Sequence, residues 1–224
     1  MGFIVEEEEY ERLFPIVTTI IIVLNIVIFI LEIFYIDILI NYAFTPVEFI
    51  HGERLETLIT HMFLHGGFLH IFWNMYFAYV FCDDLESVYG HYFFLLFYIL
   101  SGIGAGVIHA LLTILLDSVF HTGISTIPSI GASGALFGVL ASYAVFFPKR
   151  KLRIGYVYGY YEVTAWNFVM FYAIMETIMI VFGAFDYVAH TAHVGGFITG
   201  FIIAYIYKRI GKVRIEKKYI VEHD

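Results

Sequence analysis

Six stretches of this chain are close to twenty residues long and almost wholly apolar, and they decide what it can fold into. They run Phe14–Ile36, Phe68–Asp83, Tyr92–Leu116, Gly131–Phe147, Trp166–Phe185 and Ala189–Tyr207. The hydrocarbon layer of a bilayer is about 30 Å thick and takes about 20 helical residues to cross. The chain is 61% hydrophobic and 14% charged, where a soluble domain carries about 25% charged residues. A domain of this size still exposes much of its surface, so the excess apolar area must meet lipid. The expected class is all-α: a polytopic membrane protein built as a six-helix transmembrane bundle. Four prolines and no Ser/Gly-rich tract leave no disordered linker, so residues 1–224 read as one domain.

The connection between the first two spans, Asp37 to Gly67, is too apolar for a plain loop (Tyr42, Phe44, Phe49, Leu55, Leu58, Met62). Irregular backbone cannot face lipid with its polar groups unpaired. A membrane-associated element, such as short interfacial helices, is expected there. Charge orients the bundle. With a cytoplasmic N-terminus and six spans, eleven of the twelve Lys and Arg fall inside, and Arg54 alone falls outside. That is the asymmetry of the positive-inside rule. Both termini, the acidic Glu6–Glu9 segment and the basic tail, are then cytoplasmic. The first ten residues lack the basic-then-apolar order of a signal peptide, so the first span is expected to be retained and the location to be a cell membrane. Cys82 is the only cysteine, which excludes an internal disulfide and a Cys-rich metal site. A net charge of −8 argues against nucleic acid as a partner.

A charged group at the centre of a span costs at least ~2.5 kcal/mol, and polar groups there need a reason. The second span opens with His70 and Asn74, four apart and so on one helix face. The fourth opens with Gly131-Ala132-Ser133-Gly134, and the sixth with His190-Thr191-Ala192-His193 followed by Gly195-Gly196. All three spans run from outside to inside, which sets His70, Asn74, Ser133 and His193 at similar depth near the outer face. Gly134-x-x-x-Gly138 and Gly196-x-x-x-Gly200 give the fourth and sixth spans small faces that let backbones approach closely. Such an approach brings a serine hydroxyl and an imidazole within ~2.6–3.2 Å. Ser133 also starts its helix, where free N–H groups and the helix dipole favour an anion.

On the residues His65-x-x-x-x-His70-x-x-x-Asn74, Gly131-Ala132-Ser133-Gly134 and Ala192-His193-x-x-Gly196-x-x-x-Gly200, the chain resembles the rhomboid intramembrane proteases over nearly its whole length. The resemblance implies a Ser–His dyad without an Asp: Ser133 as nucleophile and His193 as base, with no cofactor. It implies an oxyanion site of His70, Asn74 and the Ser133 amide, and Phe137 stacked beneath the base. Other single-span membrane proteins are the implied substrates, with the fifth span and its following loop (Trp166 to His190) as the entry gate. Many members carry Trp-Arg in the first loop where this chain has Glu56-Thr57, with Arg54 nearby.

The remaining polar residues point to structure. His61, His65 and His70 do not share a helix face, and no His-Glu-x-x-His occurs, so a zinc protease is not expected. His61 and His65 are expected to anchor the first loop by hydrogen bonds. Glu176, mid-span in the fifth segment, is expected to face the bundle or a water pocket. The alternative functions are a rhomboid relative that binds helices without cutting them, which would lack the Ser or the His, and a transporter, which would show inverted repeats and several mid-membrane charges.

Overall fold

The computed structural model describes residues 3–156, 159–182, 189–210 and 216–222. Six helices of 14 to 30 residues dominate it: α1 (Ile16–Phe34), α5 (Phe68–Tyr89), α6 (His91–Phe120), α7 (Ser133–Phe146), α8 (Ala165–Val181) and α9 (His190–Ile210). They coincide with the six apolar stretches. By length and composition α1 and α6 suffice to cross a membrane, while α7 and α8 are apolar but shorter. The connection after α1 folds as α2 (Asp37–Tyr42), α3 (Pro46–Ile50), α4 (Thr57–Thr60) and a 3-10 turn at His61–Phe63.

The chain is mostly helical, as expected, with two small additions among the described residues. Two antiparallel ribbons are present: β1 (Phe3–Glu9) with β4 (Glu216–Glu222), and β2 (Lys151–Tyr156) with β3 (Gly159–Thr164). Residues 151–156 alternate charged or small residues with Leu, Ile and Tyr, and 159–164 are rich in Tyr, Val and Thr, a strand pattern masked in the sequence by its basic charge. The terminal segments pair with each other, and the register sets Glu7 opposite Lys218 and Glu8 opposite Lys217. Of the basic tail, Lys212 and Arg214 lie outside the described residues, as does 183–188 of the expected gate loop.

Contacts fix the direction of each helix. The Glu86 carboxylate near the end of α5 accepts from the amides of Val17 and Thr18 (2.8 Å each) and from the Thr18 hydroxyl (2.7 Å). It thereby caps the orphan donors at the start of α1. At the other end, Glu32 of α1 accepts from the His65 amide just before α5, so α1 and α5 are antiparallel. Phe77 meets Tyr172 and Phe81 meets Phe168, which makes α8 antiparallel to α5. In α6, Gly104 abuts Thr199 while Ile108 abuts Gly195, again antiparallel to α9. Helices α7 and α9 are parallel: Gly134 lies against Gly196, and Gly138 against Gly200. A Cβ at Gly196 or Gly200 would meet the backbone of α7 directly, so only glycine permits this crossing. His70 lies beside Gly131, and Phe81 meets Tyr143, which makes α5 parallel to α7, so α5, α7 and α9 start at one end of the bundle.

Outward faces are apolar. Ile20, Ile30 and Ile33 of α1 and Leu111 and Leu115 of α6 are all exposed, far more apolar surface than a soluble monomer presents.

Candidate active site

The co-directed starts of α5, α7 and α9 surround a cavity of about 1480 Å³ whose lining includes His70, Asn74, Ser133, Phe137, Glu176 and His193. Ser133 is the first residue of α7. The turn into it is set by Gly131, whose φ of +123° suits glycine alone. The Gly131 amide donates to the His61 carbonyl at 2.9 Å, and Phe44 and Ser129 exchange backbone bonds at 3.0 and 2.8 Å. The first loop thus holds the segment that delivers the serine.

Ser133 Oγ lies 2.8 Å from His193 Nε2. The hydroxyl donates to Nε2 when the ring carries its proton on Nδ1. The Phe137 ring stacks on the imidazole, with centroids 4.3 Å apart and planes within 11°. His193 is buried, so one apolar face and one polar edge define its setting.

His70 and Asn74 line the same cavity. Asn74 Nδ2 donates to the His70 carbonyl at 3.0 Å. The Gly66 amide donates to His70 Nδ1 at 3.4 Å, which leaves the ring proton on Nε2. That atom borders a notch over Gly131: a Cβ there would sit 2.7 Å from His70 Nε2 and 3.6 Å from Ser133 Oγ. A ring N–H and a serine hydroxyl therefore face one glycine-made space, an arrangement able to stabilise an anion formed there. Gly134, Gly196 and Gly200 act one step back, by letting α7 and α9 approach.

Glu176 faces the bundle, as expected of it, and the sequence did not disclose its partners. Oε2 is 2.6 Å from His190 Nδ1 and 3.0 Å from His193 Nδ1. The contact with His193 is bent away from hydrogen-bond alignment and is a close charge contact. His190 and His109 were also missed; His109 Nδ1 lies 2.5 Å from the Thr191 hydroxyl. The signal for His190 was its place three residues before His193, on the same face of the helix. Glu176, His190 and His193 bring three ligand atoms within 4.8 Å of one another. Ligands around a tetrahedral zinc, each ~2.0–2.2 Å from the metal, sit ~3.3–3.5 Å apart. The 2.6 and 3.0 Å separations here are shorter than that, and the 2.6 Å contact with His190 is a hydrogen bond.

The loop histidines divide. His61 Nδ1 bonds the Thr57 carbonyl at 2.8 Å, an anchor as expected. Both ring nitrogens of His65 lack hydrogen-bond partners, so it anchors through its backbone amide on Glu32 instead, with its ring edge-on to His70. Burial drives the His61 pKa down to about 4, against a partial offset from the Thr57 and Leu58 carbonyls. Burial, then the nearby His70, drives that of His65 to about 3. Both stay neutral and supply packing and dipoles. Arg54 holds the loop where the family's Trp-Arg is missing. It pairs with Glu48 at 3.0 Å and donates to the carbonyls of Ile40 and Asn41.

Comparison with known proteins bears on these residues. A family model described as the rhomboid domain matches residues 52–210, which takes in every residue of the site. RHOMBOID-like protein 6, mitochondrial, of Arabidopsis thaliana is 31% identical over 70% of this chain and 45% of its own length. RHOMBOID-like protein 5 of the same plant is 31% identical over 69% and 44%. Rhomboid protein 1, mitochondrial, of Saccharomyces cerevisiae is 31% identical over 70% and 44%. The chain spans under half the length of these relatives.

Proposed function

Because the chain belongs to the rhomboid family, we propose that it is an intramembrane serine endopeptidase acting through Ser133 and His193. The observation that carries this reading is the 2.8 Å contact between Ser133 Oγ and His193 Nε2, made inside a large cavity at the head of three parallel helices. His193 takes the Ser133 proton as Oγ bonds the scissile carbonyl carbon. The oxyanion is held by the Ser133 amide, His70 and Asn74. Collapse expels the amine, which takes the proton from His193. Water, deprotonated by His193, then releases the acid and restores the serine. The non-proteolytic alternative is disfavoured by the presence of both groups at reacting distance.

In this reading the six long helices are six membrane spans, both termini are cytoplasmic, and the cavity opens toward the outer face of a cell membrane. The substrates are single-span membrane proteins. Phe77 of α5 and Tyr172 of α8 line the cavity from two sides, which supports lateral entry between those helices. No cofactor takes part. The test is labelling of the detergent-solubilised protein with a fluorophosphonate probe. The wild type is expected to label and Ser133→Ala to lose the label entirely; full labelling of Ser133→Ala refutes the nucleophile.

A further inference from the structure

We propose that Glu176 is a positioning residue for the base, so that the site works as a Ser133–His193–Glu176 triad rather than as a dyad alone; this rests on the proteolytic reading above. The three groups come from three helices and lie in sequence. Ser133 Oγ on α7 is 2.8 Å from His193 Nε2, and His193 Nδ1 on α9 is 3.0 Å from Glu176 Oε2 on α8. A carboxylate beside Nδ1 selects the Nδ1–H tautomer, and only that tautomer leaves Nε2 free to take the serine proton. It also stabilises the imidazolium that forms once the proton has moved. A carboxylate in an apolar helix is costly, and this one is only 14% exposed. Its other partner explains how it is kept in place: His190 Nδ1 sits 2.6 Å from the same oxygen and points it inward. The bent contact with His193 is the form such bonds take before substrate binds and tightens them.

The groups facing His193 are Ser133 and Phe137 from α7, Glu176 from α8 and His190 from its own helix. The two other imidazoles close enough to sense its charge are His70 on α5 and His109 on α6. Glu176 is the acidic group among them, so removing its charge has a definite sign. It destabilises imidazolium, and the acidic limb of the pH profile moves down.

The experiment compares wild type, Ser133→Ala, Glu176→Gln and Glu176→Asp in reconstituted vesicles, with a single-span substrate that the wild type cuts. Glu176→Gln is expected to lower kcat by about 10²-fold with KM unchanged, and to move the acidic limb down by about 1 pH unit or more. Glu176→Asp keeps the charge and withdraws the oxygen by one methylene. It should lose part of kcat while the limb stays near its wild-type place, and it carries the test if the Gln variant melts. An unchanged kcat and limb in Glu176→Gln, or a raised KM with kcat intact, overturns the positioning role while leaving the protease reading standing. Wild-type cleavage that survives Ser133→Ala overturns both.

Discussion

The notch over Gly131 is where single atoms decide the outcome. A methyl at that position would sit 2.7 Å from His70 Nε2 and 2.9 Å from His70 Cε1, on a backbone whose φ is +123°. Such strain costs about 1–3 kcal/mol, and the displaced imidazole would no longer face the oxyanion. Gly131→Ala is expected to lower turnover by about 10²-fold, the loss of one oxyanion donor, with a modest fall in melting temperature. Gly155→Ala, with nothing within 4 Å of the added Cβ, serves as the control and should match wild type in both. Equal turnover in the two variants would remove His70 from the oxyanion site. Ser133, His193, His70 and Asn74 were legible in the sequence because each is a polar residue within the first two turns of a co-directed apolar helix. The partners of Glu176 were not legible. An apolar helix with little contrast between its faces does not declare its rotation, and only packing turned that carboxylate toward His190 and His193.

Elements were legible in proportion to their length. The six long helices follow from apolar runs, and the short helices of the first loop from an apolar segment that could not stay irregular. What the sequence concealed is the work of that loop: the His61 carbonyl holds the Gly131 amide at 2.9 Å, two residues before Ser133. The loop should therefore answer to pH. His61 titrates near 6.5 when exposed and near 4 when buried. Its folded pKa is depressed, so its support for the closed loop is complete above pH 6.5 and is lost progressively as the pH falls toward 4. Hydrogen exchange at the Gly131 amide is expected to lose protection across that window, and His61→Gln should flatten the dependence. Constant protection from pH 7 to 4 would show that the loop stays closed independently of His61.

At the scale of the molecule, charge and direction agree with each other. The basic groups Arg150, Lys208 and Arg209 lie at or beyond the far ends of α7 and α9, the ends opposite Ser133 and His193. Arg150 makes an ion pair of 2.5 Å with Asp84 at the same end of α5, and Tyr10 and Tyr143 bond the same carboxylate. The two terminal strands pair with each other, which places both chain ends on one side whatever that side is. The sequence could supply the sign of that side through its basic residues but not the closure of the ends into a ribbon. An insertion bearing a reporter that works only outside the cytoplasm separates the two orientations. Placed at Gly52, where φ is +77° and no atom lies within 4 Å of an added Cβ, the reporter is expected to be active. Fused after Tyr207, beside Lys208 and Arg209, it should be silent. The bilayer's preference for Lys and Arg on the cytoplasmic side predicts this pair of results as a unit. The reversed pair would put the cavity and its serine on the cytoplasmic face, and substrates would then have to be sought on that side.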